Sequence, residues 1–141
     1  MEADEALEKM LSGLVEGMGL SLVEMSIGRH RGDVKVNLVL YKEGGISLDD
    51  LTEAQKTLRP RLELDFDRDS LSVEISSPGL SRTLKDPREY RIFTGRRIRL
   101  LSGDDWVDGT LEKTDGKTVF LETDSGTREF AMTDIRKAKL I

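Results

Sequence analysis

The stretch Leu71-Ser72-Val73-Glu74-Ile75-Ser76-Ser77-Pro78-Gly79-Leu80-Ser81-Arg82 separates two different patterns in the chain. Its first half alternates apolar with polar residues, which is typical of a half-buried strand, and Pro78-Gly79 ends the alternation. Proline fixes φ and glycine permits positive φ, so Pro78-Gly79 predicts a type II turn. We expect this turn to set the angle between two domains or to belong to a binding surface, and the two roles use the same residues.

Upstream of this stretch the apolar spacing predicts one helix followed by a strand pair. The apolar residues of the first helix recur at helical spacing and are Leu7, Met10, Leu11, Leu14, Val15 and Met18. Residues 23–27 and 34–40 then alternate as strands. The polar segment Gly28–Asp33 between them predicts the turn of a hairpin.

A second helix is predicted after Gly44-Gly45. Ser47 is placed as its N-cap, and Asp50 stands where a capping box has its acidic partner. An apolar stripe follows at Leu48, Leu51, Leu58 and Leu62. Pro60 disfavours helix at the residue before it, so we expect the helix to end or kink there. With the strand at Leu71–Ser76, the order is αββαβ, which predicts an α+β sandwich domain.

Downstream of the turn the pattern changes twice. Asp86-Pro87-Arg88-Glu89 has Asp at the N-cap, Pro at N1 and Glu at N3, which predicts a short helix ending near Gly95. From residue 96 onward, short apolar runs alternate with Gly-containing turns, which predicts an all-β SH3/Sm-like small barrel. We therefore expect an N-terminal α/β domain at 1–85, a linker helix at 86–95 and the barrel at 96–141.

The charge of the chain is unevenly distributed. Between Arg82 and Arg99, seven basic residues face two acidic ones, which gives +5, whereas the whole chain carries −5 and the remainder therefore −10. A polyanion such as RNA, or an acidic protein surface, would be attracted to this segment and repelled elsewhere. The alternative is that each arginine only covers apolar surface with its stem and keeps its head in water.

Composition excludes several other classes of site. The chain has no cysteine and one histidine, which argues against disulfides and zinc. Asp65, Asp67 and Asp69 resemble the start of a calcium loop, but Ser70 and Ser76 stand where that loop needs Gly and Glu. The N-terminus is acidic without an apolar signal core, and no apolar run approaches a membrane span. We expect a cytoplasmic monomer without catalytic residues, metal, cofactor or membrane association.

Three aromatic side chains in the barrel are candidates for stacking on bases. In a small barrel, aromatic residues at alternating positions more often belong to the core, and we favour that interpretation for Phe120 and Phe130. Trp106, beside the Asp104-Asp105 turn, is a possible contact on the surface of the barrel. For this residue both interpretations stay open.

Several motifs together resemble the family of bacterial ribosome maturation factors named RimP. The resemblance rests on Val73–Leu80 with Arg82 and Leu84, on Gly44–Asp50, on Asp86–Arg96 and on Asp134–Leu140, in that family's order. One departure concerns the residues around Arg82. The family commonly has Asp-Arg-Pro where this chain has Ser81-Arg82-Thr83, so a local carboxylate and a rigid turn are missing.

The resemblance implies a non-enzymatic assembly factor that binds the free small (30S) ribosomal subunit. The implied partners are 16S rRNA and a ribosomal protein near the decoding region. Two alternatives are an RNA-processing enzyme acting on precursor rRNA and a protein-interaction module that binds only a ribosomal protein. The candidate ribosome- or RNA-binding residues are Glu74, Ser76, Ser77, Pro78, Gly79, Arg82, Lys85, Arg88, Arg91, Arg96, Arg97 and Arg99, with Trp106 as the possible barrel contact.

Overall fold

A computed structural model describes residues 2–141 of the chain, which divides into two compact units. The first unit extends to Pro78 and the second runs from Gly79 to Ile141. The predicted α+β class is confirmed, with helices and a small sheet in the first unit and a five-stranded antiparallel sheet in the second. The domain bounds 1–85, 86–95 and 96–141 remain a prediction beside this contact-based division.

The first unit has the predicted αββαβ order. Its elements are α1 (Glu2–Gly17), β1 (Ser21–His30), β2 (Asp33–Tyr41), α2 (Leu48–Leu62) and β3 (Leu71–Ser76). The sheet order is β1-β2-β3, with β1 and β2 antiparallel and β2 and β3 parallel. A parallel pair needs a crossover between its strands, and here α2 provides it.

The hairpin of the first unit has a tighter turn than the sequence pattern suggested. The strands continue to His30 and from Asp33, so the predicted six-residue turn shrinks to Arg31-Gly32. Both turn residues have positive φ, 51° at Arg31 and 85° at Gly32. A two-residue turn of this kind matches the right-handed twist of the flanking strands, which explains why pairing extends so far.

The helices of the first unit cover one face of the sheet. Leu11 and Val15 of α1 are fully buried with Leu58 and Leu62 of α2. The predicted apolar stripe of α1 is too wide, because Met10 and Leu14 lie largely at the surface. The narrower stripe suffices because α1 contacts the sheet on one side only.

The second helix confirms its predicted start and corrects its predicted end. The Ser47 hydroxyl accepts from the Asp50 N–H at 3.0 Å, and the Asp50 carboxylate accepts from the Ser47 N–H at 2.9 Å. Of the two outcomes predicted at Pro60, an end of the helix is wrong, since α2 continues to Leu62, and a kink remains a prediction. Burial of Leu58 and Leu62 stabilises the turns around the proline. Leu48 belongs to the predicted apolar stripe, but as the first helical residue it is 78% exposed.

The second unit contains one short helix and five strands. These are α3 (Pro87–Ile92), β4 (Arg97–Ser102), β5 (Asp105–Thr114), β6 (Thr118–Thr123), β7 (Gly126–Ala131) and β8 (Ile135–Leu140). The sheet order β7-β6-β5-β4-β8 pairs the first strand with the last, as in SH3/Sm-like barrels. The core is formed by the buried residues Leu84, Tyr90, Phe93, Ile98, Leu100, Leu111, Val119, Leu121, Phe130, Ala138 and Leu140.

Residues 82–84 extend the sheet of the second unit along the outer edge of β8. The Leu84 N–H donates to the Ala138 carbonyl at 2.8 Å, and the Leu140 N–H donates to the Arg82 carbonyl at 2.9 Å. Thr83 forms an isolated antiparallel bridge with Lys139. These backbone contacts place residues 82–84 in the second unit, which begins at Gly79.

Candidate functional site

The candidate residues of the first unit lie at the end of its last strand. Glu74 is exposed on β3 and forms an ion pair with Lys35 at 3.0 Å. Ser76 ends the strand, and Ser77 follows it with its side chain exposed, so both hydroxyls face solvent. Pro78 is partly buried and closes the first unit.

The turn after Pro78 differs from the predicted one. The Arg82 N–H donates to the Gly79 carbonyl at 3.2 Å, so the central residues are Leu80 and Ser81 rather than Pro78 and Gly79. Gly79 has a φ outside the left-handed region, which a type II turn centred on Pro78-Gly79 would require. Leu80 is 88% exposed at the tip of the turn. The turn after Pro78 therefore presents an apolar side chain, that of Leu80, to solvent.

Arg82 is held inside the second unit by a carboxylate from α3. Its Nε donates to Glu89 Oε1 at 2.7 Å, and the Arg82 and Glu89 side chains are 9% and 1% exposed. Glu89 thus supplies the carboxylate that is missing at position 81. Because the guanidinium is largely buried, Arg82 has a structural role here. Its inclusion in the binding surface remains a prediction.

At the start of α3, Glu89 makes a different contact from the one predicted. Asp86 caps the helix as predicted, accepting from the Arg88 N–H at 3.0 Å. Glu89 was predicted to complete a capping box with Asp86. Instead its Oε2 accepts from the Lys85 N–H at 3.1 Å. The same carboxylate therefore positions both Arg82 and the chain entering the helix. Burial, with a smaller contribution from Glu89, raises the pKa of the neighbouring Tyr90 to about 12.

The remaining cations of the segment lie at or near the surface of the second unit. The side chains of Lys85, Arg88, Arg91 and Arg97 are exposed, whereas Arg96 is partly buried. Arg99 forms a bidentate ion pair with Asp108 on β5: its Nε donates to Oδ1 at 2.7 Å and its Nη2 donates to Oδ2 at 3.0 Å. Hydrogen bonding to Arg99 holds the pKa of the Asp108 carboxyl below its usual value. One cation of the predicted set is therefore partly neutralised by a residue outside the segment.

Strand register extends the cationic surface beyond the predicted residues. Arg99 on β4 lies opposite Lys139 on β8, and Leu101 lies opposite Lys137. Directly opposite residues of an antiparallel pair share one face of the sheet. Lys137 and Lys139 were not predicted as site residues. Each alternates with an apolar neighbour as Arg97 and Arg99 do, but spacing alone does not show that the last strand pairs with the first.

The three barrel aromatics have different environments. Phe130 is buried in the core, as predicted. Phe120 is only partly buried and lies under the Lys113 ammonium, 4.9 Å from the ring centroid. Trp106 is 51% exposed on β5, directly opposite Leu101 of β4. Of the three, Trp106 alone presents much of its ring to solvent.

Net charge differs in sign between the two units. The first contains nine basic and sixteen acidic residues, which gives −7. The second contains thirteen basic and eleven acidic residues, which gives +2. An anionic partner would therefore be attracted to the second unit and repelled by the first.

Within residues 2–141, no group of three or more His, Cys, Asp or Glu side chains is arranged to hold a metal ion. No helix in that range has both the length and the apolar character needed to cross a membrane. The first unit has an apolar groove of about 610 Å³ between α2 and β3, lined by residues including Leu48, Leu51 and Ile75.

Comparison with known proteins identifies relatives along most of the chain. Residues 10–81 match the family described as "RimP N-terminal domain". A protein of Borrelia hermsii named ribosome maturation factor RimP is 30% identical over 131 residues, which cover 93% of this chain and 91% of the relative. The protein of the same name from Borrelia recurrentis is 31% identical over 87% of this chain and 85% of its own length. The chain belongs to the RimP family.

Proposed function

We propose that the protein is a non-enzymatic assembly factor that binds the free small (30S) ribosomal subunit and assists its maturation. Its relatives carry the name ribosome maturation factor, and the second unit has the charge that an RNA-rich partner would attract. We further propose that it acts in the cytoplasm as a monomer. Its contacts would be 16S rRNA and a ribosomal protein near the decoding region, as the family resemblance implies.

The observation that carries this proposal is the concentration of exposed cations in one unit of an acidic chain. Arg88 and Arg91 are exposed on α3, and Arg97 is exposed at the start of β4. Cations of this kind bind phosphate without requiring a particular base sequence, and the interaction weakens as salt concentration rises. Ser76, Ser77 and the exposed turn 79–81 are proposed as further contacts made by backbone and hydroxyl groups.

Co-sedimentation with purified free small subunits tests the proposal. Reversal of Arg88, Arg91 and Arg97 to Glu is expected to abolish co-sedimentation at moderate salt while the protein stays folded. The matched control reverses Lys9, Lys56 and Arg68, which are exposed cations of the first unit, with the same change in net charge. Equal loss in both triple variants would indicate a general charge effect, and undiminished binding by the first would contradict the proposal.

A genetic test addresses the role in maturation. Deletion of the gene is expected to accumulate free small subunits that carry immature rRNA, and expression of this chain should restore the profile in a sucrose gradient. Incubation of the purified protein with precursor rRNA and magnesium distinguishes the enzymatic alternative. Cleavage that requires the protein would overturn the non-enzymatic assignment.

A further inference from the structure

The outer face of strands β8, β4 and β5 combines cations with an exposed aromatic ring. Register places Lys137, Leu101 and Trp106 in one row across the three strands, and Lys139, Arg99 and Asp108 in the next. The opposite face of the same strands is the core, where Ile98, Leu100, Ala138 and Leu140 are buried. We call the outer set the β8-β4-β5 face and include Arg97, which is two residues from Arg99 on β4.

From this arrangement we infer that the β8-β4-β5 face binds single-stranded RNA, with one base stacked on Trp106 and the adjoining phosphates on Lys137, Lys139 and Arg97. The inference rests on the proposed function in taking rRNA as the natural source of that strand. It goes further in naming the structural state of the RNA and the side chain that receives a base.

Charge on this face favours a polyanion. Arg97, Arg99, Lys137 and Lys139 contribute four positive charges against the single carboxylate of Asp108. Within residues 2–141, neither Lys137 nor Lys139 is engaged in an ion pair. The ammonium groups of these two lysines are therefore available to phosphate oxygens.

The aromatic ring distinguishes RNA from other polyanions. Trp106 is 51% exposed and lies directly opposite Leu101 on the neighbouring strand. The two side chains form an apolar surface about one strand spacing wide, against which a planar base can lie. Stacking of a base on an aromatic side chain beside a cationic groove is the usual mode of single-strand binding, since every base has a π-face. A-form duplexes keep their bases stacked inside the helix, so a duplex could not use this platform.

A protein partner fits the same face less well. The fully buried centre of a protein interface is depleted in charged residues, whereas here Leu101 and Trp106 are surrounded by cations. An acidic peptide would satisfy the charges but would gain little from the ring. An anionic protein is therefore the alternative that the experiment must distinguish.

Acidic residues at one end of the face set the path of the strand. Asp104 lies in the turn before β5 and Asp105 begins that strand, next to Trp106; Asp104 pairs with Arg136 at 3.5 Å. Phosphates would be repelled from that turn. We therefore place the backbone on the other side of Trp106, crossing Leu101 towards Lys137 and continuing to Lys139 and Arg97.

Trp106 itself provides the assay, because it is the only tryptophan of the chain. Titration with a single-stranded oligouridylate is expected to quench its fluorescence in a saturable manner. Inorganic polyphosphate, which has the charge without the bases, should compete for the face without producing that quench. Absence of quenching by the oligouridylate, or an equal quench by polyphosphate, would overturn the stacking inference.

Substitutions test the contributions of the Trp106 ring and of the lysine charges to binding separately. Trp106→Ala should weaken binding of a labelled oligouridylate roughly 5- to 150-fold, the range measured for loss of one stacked base, and Trp106→Phe should retain most of the affinity. Lys137→Glu with Lys139→Glu should weaken binding and reduce the slope of log affinity against log salt by about 1.4, since each single-strand phosphate contact contributes about 0.7. Reversal of Lys113 and Lys117, cations of the same unit outside the two rows that contain Trp106 and Arg99, is the matched control and should leave the slope nearly unchanged.

The outcomes also separate this inference from the proposed function. Poly-glutamate binding more tightly than the oligouridylate would identify the face as a protein-binding surface and overturn the inference. If Trp106→Ala and the lysine pair variant bind oligouridylate and co-sediment with small subunits as the wild type does, the inference is wrong and the proposed function stands. If the wild type quenches with oligouridylate but does not co-sediment with small subunits, the proposed function fails and the RNA site stands.

Discussion

Glu89→Ala is the substitution that we expect to destabilise the second unit most strongly. The change removes a carboxylate that is 1% exposed and leaves the guanidinium of Arg82, 9% exposed, without that partner. It also removes the acceptor of the Lys85 N–H. Breaking a buried ion pair by removing one member costs about 3–5 kcal/mol, because the remaining charge stays out of water.

The size of the unit makes this cost decisive. At about 0.05–0.15 kcal/mol per residue, a unit of 63 residues (Gly79–Ile141) has a stability of roughly 3–9 kcal/mol. Glu89→Ala therefore removes a third or more of it, and all of it at the lower end of that range. Glu89→Gln keeps an oxygen for the Lys85 N–H and should cost less, about 1.5–3 kcal/mol, the range for a hydrogen bond to a charged group.

Urea unfolding followed by the fluorescence of Trp106 measures this cost, because Trp106 lies in the same unit as Glu89. Asp108→Ala is the matched control. Its pair with Arg99 has the same 2.7 Å contact, but the two side chains are 40% and 43% exposed, so water replaces the lost partner and stability should change only slightly. Similar effects of the two substitutions would show that burial does not determine the cost.

A double substitution tests the reasoning further. Replacement of both Arg82 and Glu89 by Met removes the two charges together and should be less destabilising than Glu89→Ala alone, because it does not leave the buried guanidinium without the Glu89 carboxylate. A double variant less stable than Glu89→Ala would refute the explanation. Co-sedimentation of the folded double variant would also show whether Arg82 contacts the ribosomal subunit directly.

Four further predictions concern other sites. Gly109→Ala should destabilise the second unit by about 1–3 kcal/mol or more in urea unfolding, because the new Cβ would lie 2.6 Å from a backbone oxygen and 2.7 Å from a side-chain carbon. Gly13→Ala, within α1 and with nothing within 4 Å of the new Cβ, should instead stabilise by about 0.5–1 kcal/mol. The Asp108 carboxyl should titrate below 3.8 by NMR and return towards 3.8 in Arg99→Ala; its contribution to stability is present above that value and is lost as pH falls through the folded-state pKa. The Tyr90 phenol should ionise near pH 12 in NMR titration; its contribution is present below pH 10.0 and is lost as pH rises through about 12.

Sequence patterns predicted the local elements well, because local physics determines them. The capping box at Ser47 and the Asp86-Pro87 start of α3 depend on residues within one helical turn, and both are confirmed. The continuation of α2 through Pro60 and the exposure of Leu48 could not be predicted from local physics. Whether a helix continues through proline, and whether its first leucine is buried, depends on what the rest of the fold packs against it.

The candidate site was harder to predict, because its main contacts join residues distant in sequence. Arg82 and Glu89 are separated by a turn and a helix start, and residues 82–84 pair with β8. The position of Lys139 beside Arg99 follows from pairing of the first barrel strand with the last. The charge count therefore indicated the more cationic unit, but it included a buried arginine and omitted the two lysines of β8.

Pairing of β4 with β8 has a consequence for synthesis of the chain. Ile98 pairs with Leu140, and the strand of residues 82–84 lies on the other edge of β8. Neither contact can form until residues 135–140 have been translated and have left the ribosomal exit tunnel.

The first unit has its last strand at Leu71–Ser76 and can fold earlier. During that interval the cationic segment is attached to a folded acidic unit but has no barrel to support it, and closing so long a loop is slow. In nascent chains stalled before residue 135, the part of residues 79–134 that has left the tunnel should therefore remain sensitive to protease while the first unit resists.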